Sequence, residues 1–342
     1  MRFLRFFLFP FSFFYMLVTS FRNVLFDWGV FKEYAYNVPT IGIGNLSQGG
    51  TGKSVAIDYF ISQYKKEYAL TVLSRGYGRL SKGFQLATQE STANTIGDEP
   101  LMFFQKHPTQ RIAVCNSRRK GMEILLNTST SNYPPIYLWD DCFQHRWVKP
   151  NLMILLTTYD KPFFKDFVFP VGKLRELSEG ASRAKIIIVT KCPKDLTDKQ
   201  RKDFEEKIQL KSDQHLFFSK IKYASHVQNN QRELSLRLLE KISFVLVTGI
   251  ADSSPMVRFL KSKFYTFEHM NFSDHHIFTD NDVKKIKEKS NGRMVLTTQK
   301  DYVRLSTKFP SELLFFLPIE MEILADQERE LLKLVKQEAG MN

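Results

Sequence analysis

A short glycine-rich turn between a strand and a helix constrains this chain more than any other feature. Residues 47–54 read Ser47-Gln48-Gly49-Gly50-Thr51-Gly52-Lys53-Ser54 and follow Pro39–Gly44, which reads as a buried strand. A strand that turns through glycines into a helix start aims several backbone N–H groups at one point, where the helix dipole adds positive potential. That geometry suits a triphosphate, with Lys53 reaching the outer phosphates and the Ser54 hydroxyl a ligand for Mg²⁺. Ser47 stands where G-x-x-x-x-G-K-[ST] has its first glycine. An ordinary glycine turn is the competing reading, but Gly49, Gly50, Gly52, Lys53 and Ser54 all fall where phosphate binding needs them. The chain is expected to bind a nucleotide.

Short runs rich in Ile, Leu and Val follow at Ala69–Ser74, Arg111–Val114, Ile136–Trp139, Leu152–Thr157 and Ile186–Thr190. Helices are expected at Ser54–Tyr64 and Ser117–Leu126. This alternation predicts an α/β fold, a mainly parallel sheet covered on both faces as in phosphate-loop NTPases. A second α/β series starts after residues 228–233, with strands at Phe244–Thr248 and Arg293–Thr298 and a capped helix start at Asp252-Ser253-Ser254-Pro255. Residues 326–339 read as an amphipathic terminal helix capped by Asp326. The expected division is therefore a membrane-associated helical segment (1–33), a phosphate-loop core (34–225) and a smaller α/β domain closing over the active site (226–310). Residues 311–342 are expected to pack back on the core.

The first segment is unusual in composition. Ten of the 31 phenylalanines fall within the first 31 residues, and Arg2 and Arg5 precede an uncharged run from Phe6 to Phe21 that Arg22 closes. As a helix those residues span about 24 Å, short of the roughly 30 Å hydrocarbon core, and Pro10 is expected to interrupt them. No small-x-small cleavage site follows. The reading is a segment inserted into one leaflet, its arginines meeting lipid phosphates, against the alternative of a buried core helix. The net charge of +13 favours an anionic partner, although much of it is ordinary lysine-rich surface. Cys115, Cys142 and Cys192 are scattered, which fits a reducing compartment with neither disulfide frame nor zinc spacing.

Asp140 and Asp141 close an apolar strand, where nucleotide-binding sheets hold the acid for Mg²⁺. Gly97-Asp98-Glu99-Pro100 reads locally as acids in the first turn of a helix. Asp274-His275-His276 lacks a third ligand at zinc spacing. Arg75–Arg79, Arg118-Arg119 and Arg175-Glu176 are each either surface charge or a phosphate clamp.

The ordered motifs resemble the tetraacyldisaccharide 4'-kinase family of lipid A biosynthesis. They are Gly44-Asn45-Leu46 into Gly49-Gly50-Thr51-Gly52-Lys53, Ser74-Arg75-Gly76-Tyr77-Gly78-Arg79, Gly97-Asp98-Glu99-Pro100 and Asp140-Asp141-Cys142-Phe143-Gln144-His145. Pro170-Val171-Gly172-Lys173-Leu174-Arg175-Glu176, Thr248-Gly249-Ile250-Ala251, Asp274-His275-His276 and Thr298-Gln299-Lys300-Asp301 continue the series. Cys142, Leu177, Ser273 and Gln299 depart from that pattern, which has glycine, proline, proline and glutamate there.

The resemblance implies transfer of the ATP γ-phosphate to the 4'-hydroxyl of an acylated disaccharide 1-phosphate, with ATP and Mg²⁺ required. It implies an Asp98–His275 dyad as the base, Ser54, Asp140, Asp141 and Glu176 at the metal, and Arg75, Tyr77, Gln144, His145 and Arg175 toward the acceptor. It also implies work at the cytoplasmic face of the bacterial inner membrane, without nucleic acid or an obligate protein partner. The rival reading is a membrane-associated regulatory ATPase switched on by a protein or DNA. Many of those carry a second lysine where this chain has Gln48. A GTPase is a third reading, since Thr190-Lys191 follows a strand, but Pro193 occupies the position of the guanine-reading acid.

Overall fold

The computed structural model describes residues 7–128, 131–263 and 265–341. The chain forms β1 (Thr40–Asn45), β2 (Ala69–Ser74), β3 (Gln85–Leu86), β4 (Arg111–Val114), β5 (Pro135–Asp140), β6 (Leu152–Thr158), β7 (Ile186–Thr190) and β8 (His215–Tyr223). It continues through β9 (His226–Gln228), β10 (Glu233–Ser235), β11 (Phe244–Thr248), β12 (Phe267–Asn271), β13 (Val295–Thr297), β14 (Leu314–Phe316) and β15 (Ile319–Ile323). The larger sheet has the order β15-β8-β7-β6-β1-β5-β2-β4-β3, parallel except at its edges, where β3 and β15 run antiparallel to their neighbours.

Strands buried on both faces favour near-continuous apolar runs, as Ile186 to Val189 of β7 provide. On one face the helix Lys53–Tyr64 sets Ala56, Ile57 and Phe60 against Ile41, Ile43 and Val72, joined by Leu331 and Val335 of the terminal helix Glu328–Ala339. Each such large side chain contributes roughly 1.5–3 kcal/mol. On the other face Met122 and Leu125 of the helix Arg118–Asn127 cover Leu73 and Trp139. Gly42 and Gly44 of β1 also face this side. A Cβ on Gly42 would lie 2.7 Å from Cys142 Sγ, and one on Gly44 2.6 Å from Phe143 Cβ. Cys142 is thus accommodated by the bare backbone of Gly42.

The smaller sheet, β10-β9-β14-β13-β11-β12, is parallel through β12, β11, β13 and β14 and antiparallel through β9 and β10. β14 belongs to this sheet, so the return expected at 311 is corrected: the chain rejoins the larger sheet only at Ile319. Asp326 does not cap the terminal helix; Gln327 is the N-cap and makes no side-chain cap bond.

The amino-terminal helix runs Phe9–Asp27, longer than the uncharged run and continuous past Pro10, which sits in its first turn where a missing N–H is harmless. Arg2 and Arg5 lie outside the described residues. The polar stripe of this helix docks on the protein. Ser12 Oγ donates to Val168 O at 2.7 Å, Tyr15 OH to Arg175 O at 3.0 Å and Arg22 Nη2 to Gln144 O at 3.1 Å. Phe11, Phe13, Phe14 and Phe21 are 59–69% exposed, so the apolar side faces away from the core. Among the described residues no helix is long and apolar enough to cross a membrane.

Candidate active site

β1, β5 and β2 lie side by side, and a parallel sheet gathers its ligand groups at the carboxyl ends of such strands. Asn45 ends β1 and organises the loop that follows. Its Nδ2 donates to Ser47 O at 2.7 Å and to Thr51 Oγ1 at 2.8 Å, while its Oδ1 accepts from Lys53 Nζ at 3.0 Å. Gln48 N donates to Lys173 O at 2.7 Å, which pins the start of the loop. The left-handed turns fall at Gly49 and Gly52, with φ of 107° and 91°, so Ser47 does not need to be glycine. Gly52 is the N-cap and offers no side-chain oxygen to the helix start. The first-turn N–H groups of the helix, Ser54's among them, therefore suit an anion.

Asp140 ends β5 only 2% exposed. Its Oδ2 accepts from Ser74 Oγ at 2.9 Å, and its Oδ1 has no partner among the described residues. Burial, then the Glu99 and Asp141 charges, push its pKa up to about 7. Arg118, wholly buried, donates through Nη2 to the Asp140 carbonyl. Asp141, at φ 46°, turns toward the loop. Arg175 Nη1 donates to both its oxygens, at 3.0 and 3.2 Å, and Lys53 Nζ stands 3.5 Å away. Burial would raise its pKa, but these cations, Lys53 first, lower it.

Glu176 is tied into the protein. Only 1% exposed, it accepts from Asn23 Nδ2 at 2.8 Å, Gln144 Nε2 at 3.1 Å and Arg183 Nη2 at 2.9 Å. A carboxylate so engaged ties the amino-terminal helix to the core. Gln144 also donates to Asn45 O at 2.9 Å, and its Oε1 accepts from Arg175 at 3.2 Å, so both brace the loop. His145 Nδ1 is buried without a hydrogen-bond partner among the described residues, and burial lowers the pKa of the ring. Arg75 and Tyr77 lie exposed beside the cleft.

Asp98 and His275 come together, though not in direct contact. Arg304 lies between them. Its Nε donates to Asp98 Oδ2 at 2.8 Å, and its Nη2 donates both to Asp98 Oδ2 and, at 3.2 Å, to His275 Nδ1. Tyr77 packs edge-on against the imidazole, ring centroids 5.6 Å apart. His275 has φ 56°, a strained backbone of the kind found at functional sites. One turn before Arg304, Lys300 donates to Glu99 Oε1, which also accepts from Ser54 Oγ at 2.8 Å. Burial works to raise the Glu99 carboxyl, yet Lys300 and then the Ser54 hydroxyl outweigh it and bring it to about 2.

Sequence reasoning gave no role to Glu99, Lys300 or Arg304. Glu99 reads as a first-turn acid, which it is, and Lys300 stood within a quoted motif. Arg304 carried only one signal, its position four residues after Lys300 on the same helical face.

Mg²⁺ is what the donor set fits. Asp140 Oδ1 is a buried oxygen without a partner, and the Ser54 hydroxyl and Glu99 lie in the same charge cluster. Among the described residues no three His, Cys, Asp or Glu side chains converge to hold a metal by themselves. Mg²⁺ rarely uses such cages; one or two carboxylates and substrate phosphates suffice.

The model of the family described as Tetraacyldisaccharide-1-P 4'-kinase matches residues 4–338. A tetraacyldisaccharide 4'-kinase of Flavobacterium johnsoniae is 42% identical over 96% of this chain and 95% of its own. One of Bacteroides thetaiotaomicron is 40% identical over 94% and 90%. The "apo" form of LpxK from Aquifex aeolicus in complex with ATP superposes with a TM-score of 0.79 at 27% identity, covering 98% of this chain and 99% of that one. With its nucleotide loop, buried acid and acid–histidine pair in that frame, this chain belongs to the tetraacyldisaccharide-1-P 4'-kinase family.

Proposed function

We propose that the chain transfers the γ-phosphate of ATP to the 4'-hydroxyl of a tetraacyl-disaccharide 1-phosphate, giving the bisphosphorylated lipid A precursor. One observation carries this reading. Adjacent residues at one helix start, Asp98 and Glu99, reach His275 through Arg304 and the phosphate loop through Ser54.

In this mechanism Lys53 and the N–H groups of the loop hold the outer phosphates of ATP. Ser54 and Asp140 would hold Mg²⁺, with Asp141 steadying Lys53 beside them. When bound, the metal offsets negative charge on the phosphates. The 4'-oxygen attacks the γ-phosphorus as the bond to ADP breaks, and the hydroxyl proton passes to His275. Asp98 orients the imidazole and stabilises its charged form. A guanidinium only donates, so the Arg304 contact makes Nδ1 an acceptor in the neutral ring. Arg304 therefore leaves Nδ1 before that nitrogen takes a proton, and the smaller sheet, which carries both residues, closes over the nucleotide to exclude water. Arg75 and Tyr77 line the acceptor side.

The outward phenylalanines of the Phe9–Asp27 helix support peripheral attachment to the cytoplasmic leaflet of the inner membrane, where the acyl chains of the acceptor reside. The test incubates purified protein, Mg·ATP and disaccharide 1-phosphate in detergent. A bisphosphorylated product is expected. Turnover of ATP only with a protein or DNA partner, and none with the lipid, would establish the regulatory ATPase instead.

A further inference from the structure

Lys191 follows β7, two strands from β1, in a turn that is held from both sides. Thr190 Oγ1 donates to Thr51 O of the phosphate loop at 2.8 Å, and Cys192 N donates to Ser219 O at 3.0 Å. Lys191 itself has φ 58°, a left-handed conformation that lysine rarely adopts. That turn sends the side chain over the loop: a Cβ built on Gly50 would lie 3.8 Å from Lys191 Nζ and would meet nothing else within 4 Å. No hydrogen bond or ion pair to a described residue reaches this ammonium. Its charged surroundings are Asp252 from the smaller sheet, Lys161, Asp160 and Lys300, so the cations match the acids.

An ammonium held against an anion-binding loop without a carboxylate of its own has an obvious counterion, the nucleotide. Lys53 cannot serve alone, because Asn45 and Asp141 already share its charge. Gln48 adds none. Base reading is disfavoured by Pro193, which replaces the acid that such a lysine works with. We infer that Lys191 is a second cationic contact to the phosphate chain of the bound nucleotide, supplied by the β7 turn in place of a lysine early in the loop. Burial also lowers the Lys191 pKa, as expected of a cation whose partner arrives with the ligand. The inference rests on the proposed ATP site but not on the identity of the acceptor.

The test measures equilibrium binding of ATP, ADP and AMP to the full chain without lipid, for the native protein, Lys191→Gln, Lys191→Arg and Asp252→Asn. Lys191→Gln is expected to weaken ATP and ADP about tenfold or more, as for loss of a charged hydrogen bond, and AMP much less. Lys191→Arg should recover most of the loss, and Asp252→Asn should leave ATP binding unchanged or tighter. The ATP-to-AMP affinity ratio is read within each variant, so a less stable variant still reports on the contact. Unchanged ATP affinity in Lys191→Gln, equal losses for ATP and AMP, or an equal loss in Asp252→Asn would overturn it. Failure of lipid phosphorylation with the Lys191 effect intact would instead sink only the acceptor assignment.

Discussion

The Arg304 guanidinium grips the Asp98 carboxylate through two nitrogens, Nε at 2.8 Å and Nη2, and rests Nη2 on His275. The acid and the histidine are thereby aligned but held apart by a cation from the smaller sheet. His275→Ala and Asp98→Asn are each expected to lower turnover by roughly 10²–10⁴-fold while ATP affinity changes little. Arg304→Gln should lower turnover by a smaller factor. Its effect should largely vanish in an Asp98→Asn background, because the two act through one contact. Steady-state kinetics over this cycle, with ATP binding measured separately, provide the check. Equal losses in turnover and ATP affinity for His275→Ala would remove the base role.

A raised acid makes a stability prediction with a definite sign. Asp140 titrates near 7 when folded and near 3.9 when unfolded, so the folded state binds the extra proton between those values. Stability therefore falls as pH rises from about 4 to about 7, and the full penalty persists above that. Asp140→Asn removes the penalty. At pH 8 and without metal it should stabilise the protein by about 1–3 kcal/mol, read as a higher Tm, with no gain at pH 4. The same change should abolish phosphoryl transfer and the Tm increase that Mg·ATP gives the native protein. Glu99 has the opposite sign. Its contribution is complete above about 4.5 and is lost as pH falls toward 2, so the two acids act in separate windows.

Glu176 has two roles open to it, a tie between segments and a metal ligand, and one variant separates them. If its role is to hold Asn23, Gln144 and Arg183, then Glu176→Ala leaves the half-buried Arg183 without its carboxylate and Asn23 Nδ2 without its acceptor. The expected loss is about 2–4 kcal/mol, seen as a lower Tm. The Mg²⁺ concentration giving half-maximal activity should not move. A shift in that titration without a stability loss would return Glu176 to the metal.

Local patterns made the larger sheet readable. The strands at Ala69–Ser74, Arg111–Val114 and Ile186–Thr190 begin and end where their Ile, Leu and Val runs do, because a parallel strand buried on both faces leaves few positions for polar residues. β8 and the edge strand β15 beside it escaped notice because they carry alternating charge, such as Lys220 and Lys222 against Glu322 and Glu320. In the site, the glycines and Lys53 were legible because backbone geometry dictates them. Arg304 and the true partners of Glu176 were not. The Arg304–Asp98 and Asn23–Glu176 contacts join segments more than 150 residues apart, to which no local spacing points.

The amino-terminal helix turns the usual rule inside out, since Ser12, Tyr15, Arg22 and Asn23 hold it to the protein while its phenylalanines face outward. Phe167 and Phe169 extend that surface beside Phe9 and Tyr15, and both are exposed. Burying one exposed Phe side chain in lipid is worth roughly 1.5–3 kcal/mol. Replacing Phe11, Phe14 and Phe21 with serine should therefore reduce binding to anionic phospholipid vesicles by at least about a hundredfold. The docking side is untouched, so Tm and ATP affinity in detergent should stay near native values. The KM for the lipid acceptor should rise only when that acceptor is presented in a bilayer. Cosedimentation with vesicles, run beside the detergent assay, separates the two effects. Full vesicle binding by the triple variant would mean that the phenylalanine face meets something other than lipid.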